Sequence, residues 1–350
     1  MSRVQMITVA NGDADQRIDR WLRRLYPDLS QGQIEKICRK GELRLDGGRV
    51  KAATRVVAGQ TVRIPPLPGM PGANPPPASG KRRSRDADAR MIQSCVIYRD
   101  DHILALNKPH GLPVQGGSGQ SLHVDGLADA LCFGADALPR LVHRLDKDTT
   151  GVLIMARTRA VARALTAAFR HRDTRKLYWA LVAGVPTPYL GEIKTGLVKA
   201  PGHGAGGGGE RMIAVHPSGM DHIPGAKRSR TLYATLYRVA GRAAWVALEP
   251  ITGRTHQLRV HMSEMGHPII GDGKYGGSGQ ENMGDGWGAQ LGGCISRKLH
   301  LHARRLTVEH PVTRRPLTIT AGLPEHMKHS WDMLGWTEDL AADDPFEGLK

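Results

Sequence analysis

The chain has 350 residues, 40% hydrophobic and 23% charged, and its 49 Lys and Arg against 33 Asp and Glu leave a formal charge of +16. That length supports one good-sized core and a small satellite domain, and the charge points to a polyanion, nucleic acid first, rather than a small neutral partner. An anionic membrane ranks lower, because no stretch approaches the roughly 20 continuous apolar residues of a spanning helix. The N-terminal MSRVQMITVANGDAD has neither the apolar segment nor the cleavage site of an export signal, so a cytoplasmic protein is expected; a monomer is the separate expectation for its assembly. Cys38, Cys95, Cys132 and Cys294 form no Cys-x-x-Cys pair, which removes zinc ribbons and thioredoxin-type redox chemistry.

Residues 15–64 read as a small basic domain. Ile18, Trp21, Leu22 and Leu25 fall at i, i+3, i+4 and i+7, one face of a helix. Ser30 with Gln33 fits a capping box that starts a second helix through Ile34, Ile37 and Cys38, and Gly41 is placed to stop it. Beyond it, LRLDGGRVKAATRVVAGQTVRI alternates apolar and polar residues about Asp46-Gly47-Gly48, the pattern of short strands. Residues 17–64 carry 12 Lys and Arg against 5 Asp and Glu, a net +7 on 48 residues. Arg20, Arg23, Arg24, Lys36, Arg39 and Lys40 lie off the apolar positions and suit either successive phosphates or a solvated basic face. Helix, turn, helix and the DGGRVKAATRVVAGQTVRI that follows resemble the S4 RNA-binding domain. The resemblance implies binding of folded RNA through the helix pair, mainly by shape and phosphate contacts.

Residues 65–90 are expected to be a linker. Pro65 to Gly80 holds seven prolines and three glycines and supplies no regular helix or central strand, and the basic KRRSRDADAR is expected to continue the mobile connection. Residues 91–325 form a larger mixed domain. CVIY, HILAL, GVLIMA, LYWALVAG, TLYATLYRV, AAWVALEP and LTIT read as strands, and Arg159 to Arg170 and Arg254 to Met265 as helices. Several consecutive strands have short connections, which favours an α+β, antiparallel-rich sheet over a βαβ series. Ala205 to Gly209 marks a flexible insertion, and residues 326–350 give a C-terminal helix and a frayed acidic tail.

Three stretches of the larger domain concentrate polar side chains. LVHRLDKDTTGVLIMAR (141–157) gathers His143, Arg144, Asp146, Lys147, Asp148, Thr149 and Thr150 just ahead of an apolar strand. A carboxylate among cations is favoured in its ionised form, which suits a nucleophile or base better than a general acid; a polar turn that merely caps secondary structure fits the same residues. TGRTHQLRVH (252–261) places Arg254, His256, Arg259 and His261 at the start of a helix, with Arg254 a plausible partner for an acidic residue; a helix N-terminus dressed with basic residues fits equally. His256 and His261 are five apart rather than four, so the paired-histidine zinc geometry is missing, and no metal or other cofactor is expected. RKLYWALVAG (175–184) opens a strand with Lys176 and Tyr178, the tyrosine being placed to stack on a base or simply to pack. Gly271-x-Gly273-x-x-Gly276 matches the dinucleotide-binding pattern but opens no helix, and the Gly-rich run at 202–209 lacks the Lys-Ser/Thr of a phosphate loop.

Together with LNKPHGLPV (106–114), GDGKYG (271–276) and LHLHARRL (299–306), these stretches closely resemble the RluA family of pseudouridine synthases over residues 95–320, in the family's order. The S4-like domain in front narrows the resemblance to the RluC/RluD type, which implies large-subunit (23S) ribosomal RNA, or its assembly intermediates, as substrate and partner. The implied fold is a mixed, mainly antiparallel sheet with a central RNA cleft. By resemblance, Asp146 of HRLD is the nucleophile, Tyr178 contacts the uracil, Arg254 pairs with the aspartate, and Arg144 occupies the space left by the flipped nucleotide. His143, Lys108, Lys176 and His256 complete the expected substrate-binding set, whereas His300, an extra histidine against the family pattern, receives no role. The alternative is a catalytically silent RNA-binding assembly factor, against which the intact Asp146, Tyr178 and Arg254 stand.

Overall fold

The computed structural model describes residues 4–26, 29, 31–67, 79–116, 122–171, 173–200, 210–276 and 294–349. The chain divides into two compact units, Met1–Arg83 and Ser84–Lys350.

In the first unit, β1 (Gln5–Thr8), α1 (Ile18–Leu25), α2 (Gln31–Lys40), β2 (Arg44–Leu45), β3 (Gly48–Arg49) and β4 (Thr61–Ile64) follow in chain order, and the strands pair as β1-β4-β2-β3. The expected apolar faces are buried: Ile18, Trp21 and Leu22 of α1 meet Ile34, Ile37 and Cys38 of α2 over Val9, Leu43, Val56, Val62 and Ile64, while Leu25 stays exposed. Gly41, at φ +71°, ends α2: its N–H donates to the Cys38 carbonyl (3.0 Å) and the Glu42 N–H to the Ile37 carbonyl (2.9 Å), the paired bonds of a Schellman stop. Asp46 (φ +47°) and Gly47 (φ +79°) turn β2 into β3, the left-handed pair a two-residue hairpin requires. Ser30, the expected cap, lies outside the described residues. β1 begins the unit ahead of residue 15, the expected boundary, and pairs antiparallel with β4.

Helix α3 (Ser79–Ser94) runs across the boundary into the second unit, so the basic KRRSRDADAR is helical rather than a continuation of the linker; most of the Pro-rich stretch lies outside the described residues. Its strands are β5 (Val96–Arg99), β6 (Ile103–Lys108), β7 (Arg140–Leu141), β8 (Thr150–Ala156), β9 (Arg175–Ala183), β10 (Leu190–Lys199), β11 (Met212–Val215), β12 (Lys227–Val239), β13 (Ala243–Pro250), β14 (Leu301–Glu309) and β15 (Pro316–Thr320). They form one sheet in the order β11-β10-β12-β13-β9-β14-β8-β6-β5, with β15 on β14 and β7 on β8. Among the described pairings only β14 with β8 is parallel. Helices cover both faces. α5 (Gln257–Glu264) packs Leu258 and Met262 against Ala180, Val182 and Val246, whereas α6 (Glu325–Met333) packs Met327 and Trp331 against Leu181 and Trp245 on the opposite side. α4 (Arg159–His171) lays Val161 and Leu165 on β6 and β8.

The acidic tail, expected to fray, is docked instead. Phe346 is fully buried in the cluster of Trp245, Trp331 and Trp336, and Asp344 takes the Arg175 guanidinium (2.5 Å), which also holds Glu249 (3.0 Å). Burying one phenyl ring outweighs the charge pattern that reads as disorder.

The parallel junction rests on Gly151, which lies at φ +105° opposite Ala303. A Cβ there would sit 2.2 Å from the Ala303 carbonyl oxygen. Gly151→Ala is therefore expected to cost about 3 kcal/mol of stability, overpacking and a disfavoured backbone acting together. Urea unfolding measures it, and a loss below about 1 kcal/mol would contradict this account of the junction.

Candidate active site

The loop between β7 and β8 carries Asp146, and three anchors hold it. Lys108, at the end of β6, has no exposed surface, and its Nζ donates to the carbonyls of Pro109 (2.9 Å), Leu112 (2.8 Å) and Lys147 (2.9 Å). Burial pushes this ammonium down, to about 7, yet three carbonyl acceptors use all three of its donors and favour the charged form. Lys108 was expected to bind substrate; being buried and spent on backbone carbonyls, it positions the loop instead. His143 accepts the Ile154 N–H at Nε2 (2.9 Å) and stacks on Phe169 with ring centroids 4.4 Å apart. Burial lowers it to about 3, so the ring is neutral and forms wall rather than a charged contact. Thr150 Oγ1 meets His302 Nδ1 at 2.8 Å where β8 leaves the loop.

The side chains beside this loop line a cavity of about 320 Å³, within the range of small-ligand sites. Asp146 is half-buried in its wall, Arg144 is exposed, and Lys176 and Tyr178 face in from β9, two residues apart on one side of the strand. Burial first, and then the charge of Asp146, raise the Tyr178 phenol above its ordinary value, so it keeps its proton at neutral pH and offers a flat face, not a base.

The turn before α5 completes the cavity, and here the expected pairing changes. α5 begins at Gln257, so Arg254 and His256 lie in the turn ahead of it, His256 at φ +52°. Gln257 fixes the turn with all four of its amide bonds: Oε1 accepts from Thr252 Oγ1 (2.6 Å) and the Arg254 N–H (3.1 Å), and Nε2 donates to the Arg230 carbonyl and Thr231 Oγ1, both at 2.9 Å. That places Arg254 on the cavity wall with its Nε bonded to the Arg228 carbonyl (3.1 Å). The guanidinium that ion-pairs Asp146 is Arg259, in the first turn of the helix, with Nη1 3.6 Å from Oδ2. His256 Nε2 approaches the same oxygen at 3.9 Å. Arg259 is itself gripped by Asp272, Nε to Oδ2 at 2.7 Å and Nη2 to Oδ1 at 2.8 Å, which leaves Nη1 to face the cavity. Asp272 Oδ1 also accepts the N–H groups of Lys274 (2.9 Å) and Tyr275 (3.0 Å). Although burial opposes it, hydrogen bonds and the charge of Arg259 hold the Asp272 carboxyl below its ordinary value.

The GDGKYG stretch is thus a turn, as its sequence suggests, but one whose Asp272 and Tyr275 support the site. Sequence reasoning passed over both, and over Arg259 as partner. The available signal was Arg259 itself, an arginine on the buried face of a short helix, which needs a carboxylate to be tolerated there. Among the described residues no group of three His, Cys, Asp or Glu converges as a metal site; His261 is buried, lowered to about 4, and shared between Ser229, Thr195 and Thr231. On the first unit, Arg20, Arg23, Arg24, Lys36, Arg39 and Lys40 are all exposed on α1 and α2, with Arg23 donating to Gln31 (2.8 Å) and Arg24 paired to Asp13.

Known proteins are similar in sequence along nearly the whole chain. Ribosomal large subunit pseudouridine synthase C of Vibrio cholerae serotype O1 is 35% identical over 330 residues, covering 94% of this chain and 96% of that protein. The protein of the same name from Escherichia coli O6:H1 is 36% identical over 331 residues, 93% and 95% of the two chains. The RNA pseudouridylate synthase model matches residues 102–264 and the S4 domain model residues 16–62. The chain belongs to the RNA pseudouridylate synthase family. The synthase is therefore an isomerase with an S4 domain ahead of its catalytic domain. Among solved structures, human RNA pseudouridylate synthase domain containing 4 is 30% identical with a TM-score of 0.56, covering 73% of this chain and 98% of that one.

Lys108→Met keeps the apolar stem and takes the ammonium donor from three backbone carbonyls, the buried Leu112 among them, so the synthase is expected to lose about 3 kcal/mol in urea unfolding, with RNA affinity unchanged below the transition. Weakened RNA binding at full stability would return Lys108 to a substrate role.

Proposed function

We propose that this synthase converts specific uridines of large-subunit ribosomal RNA to pseudouridine, with Asp146 as the nucleophile. The observation that carries the assignment is one carboxylate in a cavity wall, approached at the same oxygen by Arg259 and His256. The relatives named for the large ribosomal subunit, aligned along more than nine-tenths of both chains, support the substrate class. No helix among the described residues is long and apolar enough to cross a membrane, and we place the protein with its RNA in the cytoplasm.

The chemistry is an isomerisation. The bond between uracil N1 and ribose C1′ breaks, the base turns, C1′ joins C5, the C5 proton leaves and N1 takes one up; no electron is gained or lost. Attack at C6, attack at C1′ and removal of the C2′ proton all begin from an ionised carboxylate, which an adjacent guanidinium favours. A paired uridine reaches the cavity only after leaving its stack, at a cost of a few kcal/mol. Arg144, exposed beside the nucleophile, takes the place of the extruded base, and the flat face of Tyr178 packs on the uracil. Lys176 and the six basic residues of α1 and α2 meet phosphates, whereas Arg254, held by the Arg228 carbonyl, contributes to the wall.

Large-subunit RNA from a strain lacking the gene, rescued with native protein or with Asp146→Asn, tests the assignment. Native protein restores at least one pseudouridine on chemical mapping; Asp146→Asn binds the RNA with affinity within about threefold of native and restores none. Full modification by that variant would remove Asp146 from its role, and an unchanged map in the deletion strain would remove the substrate class.

A further inference from the structure

We propose that Tyr275 locks His256 in its neutral Nε2–H tautomer, so that His256 serves as an uncharged hydrogen-bond donor to the Asp146 carboxylate. The inference rests on Asp146 being the nucleophile. It begins with the one proton of the Tyr275 hydroxyl. The backbone N–H of Met212, the first residue of β11, donates to that oxygen at 2.9 Å, and His256 Nδ1 lies 2.7 Å from it. Among the described residues these are the hydroxyl's hydrogen-bond partners, and an amide N–H accepts nothing, so the tyrosine proton goes to Nδ1. A ring nitrogen that accepts carries no proton, and the imidazole proton then sits on Nε2. Nε2 is the atom 3.9 Å from Asp146 Oδ2, a separation that one small ring movement on substrate binding closes to a hydrogen bond.

Each part of the relay is held. Tyr275 is buried, its N–H is fixed to Asp272 Oδ1, its carbonyl takes the Ser263 hydroxyl (2.9 Å), and the Arg259 guanidinium lies 5.2 Å from its ring centre. Asp146, Arg259, Lys274 and Asp272 are the charged groups around His256; burial, joined by the two cations, outweighs the two carboxylates and lowers its pKa, which favours the neutral ring. A neutral donor suits this position. A second cation with a labile proton would share it with Asp146 and quench the nucleophile, whereas a neutral N–H steadies Oδ2 beside Arg259 and leaves Oδ1 for the nucleotide.

His256 also has a left-handed backbone, which asparagine adopts more readily than glutamine. That sets the two candidate roles against each other. A Gln amide nitrogen reaches the place of Nε2, while an Asn amide nitrogen reaches that of Nδ1. Single-turnover tritium release from C5-labelled uridine in large-subunit RNA from the deletion strain is expected to stay within about fivefold of native for His256→Gln and to fall about 30-fold or more for His256→Asn, with RNA binding and urea midpoints unchanged. Asn equal to or faster than Gln, or native rates in both, would overturn the proposal. Nitrogen-15 NMR of histidine-labelled protein reads the tautomer directly: Nε2–H in native enzyme, moving toward a mixture in Tyr275→Phe, is expected, and Nδ1–H in native enzyme would overturn it. Asp146→Asn separates the two claims, since product from that variant at native rate would sink the nucleophile while leaving the NMR assignment of His256 standing.

Discussion

A carboxylate proposed to attack a nucleotide must keep its charge, and a guanidinium held beside it favours the ionised form. Here the buried Arg259–Asp272 pair holds that guanidinium. Asp272 takes two of the guanidinium's donors in a fork, which leaves Nη1 directed at Asp146. The fork matters because a lone arginine beside one carboxylate would satisfy itself on it in a bidentate pair and mask the attacking oxygens. Removing either partner of a pair this buried typically costs about 3–5 kcal/mol, so its presence is a structural commitment to one orientation.

The sheet makes that orientation possible by bringing distant segments to one edge of the cavity. β9, which carries Tyr178, and β8, which follows the Asp146 loop, are separated only by β14, and β8 can lie parallel to β14 because Gly151 brings the two backbones together without a side chain between them. Lys108 then ties the end of β6 to the carbonyl of Lys147, the residue after Asp146. On the other wall, Gln257 and Asp272 do for α5 what Lys108 does for the loop, each consuming its hydrogen-bonding capacity on backbone and neighbours. The cavity is thus walled by polar side chains whose own freedom has already been removed, which is the condition for accurate placement of a reacting group.

Much of this was legible in the sequence where periodicity or a short motif carries the signal. Ile18, Trp21 and Leu22 marked α1 because a helical stripe repeats locally, and the runs GVLIMA and LYWALVAG marked the two strands that deliver the site. The signal fails where a residue's partner is far along the chain. Arg254 and Arg259 belong to one motif, and only the turn fixed by Gln257 decides which of them meets Asp146. Lys108 looks like a phosphate ligand until three backbone carbonyls close on it. β10 went unread because Gly191, Glu192, Lys194, Thr195 and Gly196 break its apolar pattern, its hydrogen bonds being supplied by β11 and β12. The tail misled in the same way, since its charges are local and the tryptophan pocket for Phe346 is not.

The central claim is that Asp272 and Arg259 act on the reaction as one unit. A double-mutant cycle of Asp272→Asn and Arg259→Gln on the single-turnover rate of pseudouridine formation tests it most directly, with folding checked at each corner. Each single variant should slow the reaction by about 100-fold or more, and the double variant should be no slower than Arg259→Gln alone, a coupling of about 2–3 kcal/mol. Losses that multiply in the double variant would contradict the account, for they would mean that Asp272 and Arg259 serve the reaction separately.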